Sequence, residues 1–382
     1  MTTTSKCLVA VCCALLWAGR GAATELRFQK LQLTDGSSLV ECCTVFDVNR
    51  DGKLDIVSGG FWYENPTWTP HQLREMTKDA NYANDWADLA LDVNGDGWTD
   101  LVSGGFHTEE IWWYENPQNQ PGLWPQHLVF KRTQFWETAL LVDVDGDGQG
   151  DLLPNDGAPI RWYELVREPG GEPKWVEHII GPDGAAHGLG YGDVNLDGRL
   201  DIICPGGWYE APEDRRAGKW GWHPEFNLGA TSDPILSMDV NGDGLGDIIW
   251  GMGHDYGVFW LEQQRDAAGQ RTWTKHTIDD SFSQGHAPAL GDIDGDGDDD
   301  LVVGKRWKAH GEGDPGSSDP ICVYWYDYDR QAGKWNRHVV SYNDGAGIGL
   351  QQSLVDINAD GRLDIVSCCK TGLHVFLNQR MP

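Results

Sequence analysis

Residues 143–153 read Asp143-Val-Asp-Gly-Asp-Gly-Gln-Gly-Asp151-Leu-Leu153. The same frame, Asp-x-(Asn/Asp)-x-Asp-Gly-x-x-Asp followed by two aliphatic residues, also begins at Asp47, Asp92, Asp193, Asp239, Asp292 and Asp356. The seven copies are spaced by 45, 51, 50, 46, 53 and 64 residues, which is the length of a four-stranded propeller blade. Each copy is flanked by the same features in the same order. An aliphatic run such as Thr138–Val142 leads in, and a second, such as Asp151-Leu-Leu, leads out. Next comes an aromatic strand: Trp62-Tyr-Glu-Asn, Trp113-Tyr-Glu-Asn, Trp162-Tyr-Glu, Trp208-Tyr-Glu, Trp260-Leu-Glu or Trp325-Tyr-Asp. A fourth strand often reads Trp-x-x-His-x-aliphatic, as at Trp175–Ile180, Trp273–Ile278 and Trp335–Val340. Short strands rich in Trp, Tyr, Val and Ile between Gly-rich turns predict an all-β chain.

The ends of the chain predict how the ring closes. The last repeat stops after its third strand, His374–Leu377, while the segment Leu26–Leu33 aligns with the fourth strand of the other blades. Together they predict a seven-bladed β-propeller, residues 24–382, whose N-terminal strand completes the last blade and so removes a bare sheet edge. Residues 1–23 read as an export signal, with Lys6 ahead of the apolar run Cys7–Ala18 and small residues Gly21-Ala22-Ala23 at the cleavage point. That run is too short for a membrane of ~30 Å hydrocarbon thickness, and no other segment is apolar enough to cross one. The expectation is an exported protein, periplasmic, cell-surface or extracellular. Export permits disulfides among Cys42, Cys43, Cys204, Cys322, Cys368 and Cys369, and buried free thiols are the alternative.

The chain has 382 residues and a formal net charge of −30, which excludes the basic footprint of a nucleic-acid binder. Much of the acidity is concentrated in the seven loops. Oxygens at positions one, three, five and nine, with Gly at six for the sharp turn, match the first half of a calcium loop. The ligand set this predicts is Asp47, Asn49, Asp51 and Asp55; Asp92, Asn94, Asp96 and Asp100; Asp143, Asp145, Asp147 and Asp151; Asp193, Asn195, Asp197 and Asp201; Asp239, Asn241, Asp243 and Asp247; Asp292, Asp294, Asp296 and Asp300; and Asp356, Asn358, Asp360 and Asp364. Hard oxygen donors select Ca2+ over zinc or copper. An EF-hand is excluded, because position twelve is never Glu and the flanks read as strands. A metal-free Asx turn explains Gly and Asn but not Asp at positions one, five and nine of every copy.

The loops and aromatic strands together resemble the FG-GAP and VCBS repeat family, the propeller type of integrin α-subunit heads and of many exported bacterial proteins. The resemblance spans nearly all of the chain after residue 23, and it implies calcium at the turn between the first two strands of each blade. The Phe-Gly and Gly-Ala-Pro signatures are mostly missing, with His286-Ala-Pro as a partial echo. The Trp-Tyr-Glu-Asn strands look more like the propeller domain of the aldos-2-ulose dehydratases, which dehydrate sugars and carry further domains that this sequence, ending at Pro382, does not show.

Seven equivalent loops are scaffold, so function should break the symmetry. Six residues before each loop lies a column that does so: Glu41, Trp86, Glu137, His187, Asp233, His286 and Leu350. Its place at the start of each innermost strand predicts a polar funnel on the axis, opposite the metal loops. The turns after the second strands reach the same face and bring His107, Asp156, His254, Lys305, Arg306 and His310. The blade-six turn, Lys305–Pro320, has the length of a lid or binding loop. Candidate catalytic residues are His187, His286, Glu137, Asp233, Arg306, His107 and His254. Trp86, Trp136 and Trp307 are candidates to stack on sugar rings. An imidazole base with Arg306 or Lys305 beside a developing enolate suits elimination next to a carbonyl, as in a sugar dehydratase or polysaccharide lyase. Glu137 and Asp233 with two His also form a donor set for an additional funnel metal of unspecified identity. The expected partners are a carbohydrate or other small polar ligand, with protein partners at the funnel face as a further option. A propeller that binds without turnover is equally compatible with the residues. His71, His127, His178, His276 and His338 recur with the blade and read as structural.

Overall fold

The structure is a computed structural model and describes residues 26–78, 81–105, 110–131 and 138–380. The segment read as an export signal, together with His107, Trp136 and Glu137, lies outside the described residues.

Seven antiparallel four-stranded sheets form the ring. Blade one is Thr44–Phe46, Asp55–Ser58, Phe61–Glu64 and Thr69–Gln72. Blade seven takes Gln352–Val355, Asp364–Cys369 and Gly372–Arg380 from the C-terminus. Its outer strand is Leu26–Gln32, paired from Leu26 opposite Arg380 to Gln32 opposite His374. The predicted closure is therefore what the backbone shows, and both termini are held in one sheet.

A four-stranded blade is amphipathic on both faces and buries them against its neighbours. Among the described residues the large apolar clusters sit at the seams. Val142, Leu153 and Trp162 of blade three pack with Ile202 and Tyr209 of blade four. Ala287, Val302 and Trp325 of blade six meet Ile365 and Phe376 of blade seven. Distributing the core in this way lets a chain with 40% hydrophobic residues bury a large apolar area without one central core.

Polar staples fix the seams in register. The residue after the aromatic strand's Glu in blades one, two and five is Asn65, Asn116 or Gln263. Its side-chain amide donates to its own loop and to the preceding blade. Asn116 Nδ2 reaches Thr99 O at 3.0 Å and Val48 O at 2.9 Å. Asn65 reaches Ile357 O at 2.8 Å and Gln263 reaches Val194 O at 3.0 Å. Asn378 does the same for blade seven, reaching Ile293 O at 2.7 Å.

The recurring His is explained by cross-strand geometry. Trp62 pairs directly with His71, and the rings stack at 4.2 Å, while His71 Nε2 contacts Glu64 at 2.9 Å. The same triad recurs at Trp113–His127–Glu115, Trp162–His178–Glu164, Trp260–His276–Glu262 and Trp325–His338–Asp327. A further copy, Trp208–His223–Glu210, sits in blade four. Its local sequence, Trp220-Gly-Trp-His223, keeps the Trp-x-x-His spacing, but Pro224-Glu225 follows where the other copies reach an aliphatic residue. The six described cysteines after residue 23 are free and buried.

Candidate functional site

The loops share one local construction. The first Asp bends the chain by accepting backbone N–H groups, as Asp92 does from Gly95, Asp96 and Gly97 at 2.8, 3.2 and 2.9 Å. Gly97 takes φ 85°, a left-handed turn that Gly adopts without strain. The Asp at position nine is buried and already employed. Asp55 accepts Val48 N–H at 3.1 Å and Asn65 N–H at 2.9 Å, so it ties the loop to the aromatic strand.

Burial pushes these inner carboxyls up: Asp55, Asp100 and Asp364 to about 6, Asp151, Asp201 and Asp247 to about 7, and Asp300 to about 8. Neighbouring loop carboxylates add to the effect. A cation among the oxygens would relieve both burial and repulsion. Asp143, Asp145 and Asp151 offer oxygens within 4.8 Å of one another, as do Asp292, Asp294 and Asp296, so the donor set fits a hard metal ion. Three loops also carry their own cation at position seven: Lys53, Arg199 and Arg362 pair with Asp51, Asp197 and Asp360. A cleft of about 440 Å³ opens on this face between blades six and seven, lined by Asp292, Asp294, Asp356 and Arg362.

At the other end of the inner strands, side chains meet across the axis. Contacts that skip a blade show this, since only the centre of a ring brings such blades together. Arg306 of blade six holds Glu41 of blade one. Gln351 of blade seven exchanges two hydrogen bonds with Asp88 of blade two, at 3.0 and 2.6 Å. Asn155 of blade three donates to Asp233 of blade five at 3.0 Å. Arg74 bridges Asp85 and Asp88 at 2.9 Å each, and burial followed by the Asp88 charge keeps the Asp85 carboxyl well above its usual range.

Three of the candidate histidines are brought together. His187 and His254 face each other with Nε2 atoms 2.8 Å apart. His286 lies 6.2 Å from His254, ring to ring. It is 2% exposed; its Nδ1–H donates to Gln284 O at 3.0 Å and its Nε2 accepts from Arg306 at 3.4 Å. Burial, and then the Arg306 charge, hold it well below the usual histidine range, so it stays neutral. Burial and the neighbouring His187 also lower His254, with Asp314 pulling the other way. Trp86 lies under the Arg306 guanidinium, 5.4 Å from carbon to ring centre.

Other candidates face elsewhere. Asp233 accepts from Leu189 N–H and from Asn155. Lys305 is fully buried and donates to Ser283 Oγ at 2.8 Å and Gly316 O at 2.7 Å, pinning the long blade-six turn. Asp156 pairs with Arg161 at 3.5 Å. Sequence reasoning overlooked Asp314, which lies on the blade-six turn and contacts both His254 and His310. Its signal was the His310-x-x-x-Asp314 spacing within that turn.

This architecture defines a seven-bladed propeller with acidic loops on one face and an ionisable cluster at the other. FG-GAP-like repeats match residues 92–153 and 239–303, and with the seven-bladed ring they support a propeller of the FG-GAP type. No curated protein matches it in sequence. Solved structures of similar fold include an Agrocybe aegerita lectin that recognises non-reducing terminal N-acetylglucosamine (17% identity, 80% of this chain and 81% of that one, TM-score 0.52). BBS1N in complex with ARL6DN is another (13%, 94% and 98%, 0.55). The rhamnogalacturonan lyase YesW matches at 14% identity over 90% and 72%, with a TM-score of 0.48. At these identities the likeness is one of fold. Among the described residues no helix is long and apolar enough to cross a membrane.

Proposed function

We propose that this is an exported propeller, stabilised by calcium in its loops, whose axial cluster receives a carbohydrate and acts on it by elimination. The observation that carries the reading is the meeting of His187, His254 and His286 with Arg306 and Trp86 at the end of the ring away from the loops. An aromatic face, a guanidinium and imidazoles are what a polar sugar ring bearing a carbonyl or carboxylate requires. His187 is assigned to proton transfer. It is half-buried, and its Nδ1–H is fixed on the Thr231 carbonyl, so Nε2 is the basic atom, and a substrate proton reaches it by displacing the Nε2–H of His254. His286 holds Arg306 in place. The lectin of similar fold recognises a sugar, so this architecture is compatible with such a ligand. The export signal read in residues 1–23 and the hard-oxygen loops support secretion into a calcium-containing compartment.

The test is incubation with uronate-containing oligosaccharides and with 2-ketoses, following the absorbance of the new conjugated double bond. The expected result is turnover that His187→Ala abolishes, with calcium-dependent melting unchanged. One observation favours a second reading, that of a binding propeller without turnover: the Arg306 charge is already matched by Glu41. Sugar binding by calorimetry with no product would establish that reading and discard the elimination.

A further inference from the structure

The three contacts made by the rings of His187 and His254 need three ring protons, or two and a cation. His187 Nδ1 faces the Thr231 carbonyl and must carry a proton. The two Nε2 atoms, 2.8 Å apart, need a proton between them. His254 Nδ1 lies 3.1 Å from an Asp314 oxygen and needs a proton or a cation between them. Two neutral imidazoles carry one ring proton each, and there are three such contacts. With both rings neutral the contact left open is the one between His254 and Asp314, where a third group also converges. His310 stacks on His254 at 4.3 Å, with an interplanar angle of 11°, and its Nδ1 lies 3.3 Å from the other Asp314 oxygen. One donor atom from each of His254, His310 and Asp314 lies within 4.8 Å of the others.

We propose that His254, His310 and Asp314 bind one divalent transition-metal ion, of the zinc class, at the mouth of the axial cluster. Two imidazoles and a carboxylate form the donor set of an open, three-ligand zinc site, in which a fourth position is left to water or ligand. Bond lengths of ~2.0–2.2 Å require the two stacked rings to swing until both nitrogen lone pairs meet at one point. His187 is the positioning residue. It accepts the Nε2–H of His254, which directs the Nδ1 lone pair of His254 at the ion and raises its basicity, as outer-shell acceptors do in metal sites. Two of the three ligands come from the long blade-six turn, which Lys305 pins from below, so ion binding would also order that turn. Soft and borderline nitrogen donors separate this site from the all-oxygen loops on the opposite face. The assignment stands whether the cluster turns substrate over or only binds it.

The experiment strips the full-length protein with chelator, refills the loops with excess calcium, adds Zn2+ as the probe, and measures bound zinc by mass spectrometry and calorimetry. One zinc per chain is expected. His254→Ala, His310→Ala and Asp314→Asn should each abolish it or weaken it at least 10-fold, and His187→Ala should weaken it by about 10-fold. Cobalt substitution should give the visible ligand-field absorption of a low-coordinate nitrogen and oxygen site, lost in the same variants. A wild-type protein that takes up no zinc would overturn the proposal, as would a His254→Ala/His310→Ala variant that keeps the same zinc. So would nitrogen NMR showing both His254 nitrogens protonated at neutral pH in the presence of zinc, since the extra charge would then be a proton. Zinc bound without any sugar turnover would leave this site standing and remove the elimination.

Discussion

Arg306 of blade six grips Glu41 of blade one through two parallel hydrogen bonds, Nε to Oε1 at 2.8 Å and Nη2 to Oε2 at 2.9 Å. Both side chains are buried, at 1% and 2% exposure, and the pair passes over blade seven to close the ring near its axis.

Glu41→Ala removes the carboxylate that this buried guanidinium holds with two hydrogen bonds. Removing one member of a buried pair costs about 3–5 kcal/mol, so the variant should unfold at markedly lower denaturant than the parent. Replacing both by apolar residues of similar volume should recover much of the loss. Equal unfolding midpoints for the single and double variants would show that the pair is not a coupled unit.

Asn116→Ala should cost about 1–3 kcal/mol, the penalty for leaving buried acceptors unsatisfied, because Val48 O and Thr99 O lose their donor together. The change sits at the seam between blades one and two, far from the axial cluster, so sugar binding should be retained. Chemical denaturation and calorimetry check the two halves of this expectation.

Calcium dependence should vary with pH in a defined direction. The position-nine carboxyls lie at about 6 to about 8 in the folded chain without cation, against about 3.9 for an unfolded Asp. A group raised on folding binds more protons when folded, so stability of the calcium-free protein falls as pH rises from about 4 through about 8. Calcium holds the same groups ionised and removes that loss. The rise in melting temperature on adding calcium should therefore be larger at pH 8 than at pH 5. A calcium effect of equal size at both values would contradict the loops as the site of binding.

Deleting residues 26–32 removes the outer strand of blade seven and exposes the edge of Gly372–Arg380. An unpaired edge of that length is a template for association, so the truncated protein should elute as oligomers or precipitate. A monomer of unchanged stability would refute closure by this strand.

The seven Asp frames, the Trp-x-Glu strands and the unmatched strands at the two ends specified blade count, strand order and closure without help from the tertiary structure. They could do so because each reports a local rule: turn chemistry, period-two alternation and edge pairing repeat at fixed offsets along the chain. The column six residues ahead of each loop was legible for the same reason, since strand length alone places it at the far end of the ring. Which of its side chains meet was decided only by the folded ring. His187 and His254 are 67 residues apart in the chain, and Arg306 and Glu41 are 265 apart. No periodicity registers contacts of that span, because they depend on how far each blade is rotated about the axis and on which rotamer the packed seams leave free. Lys305 and Arg306 show the limit most plainly. Adjacent in sequence, they point to opposite sides of one strand end, so one pins a turn and the other reaches across the axis to Glu41.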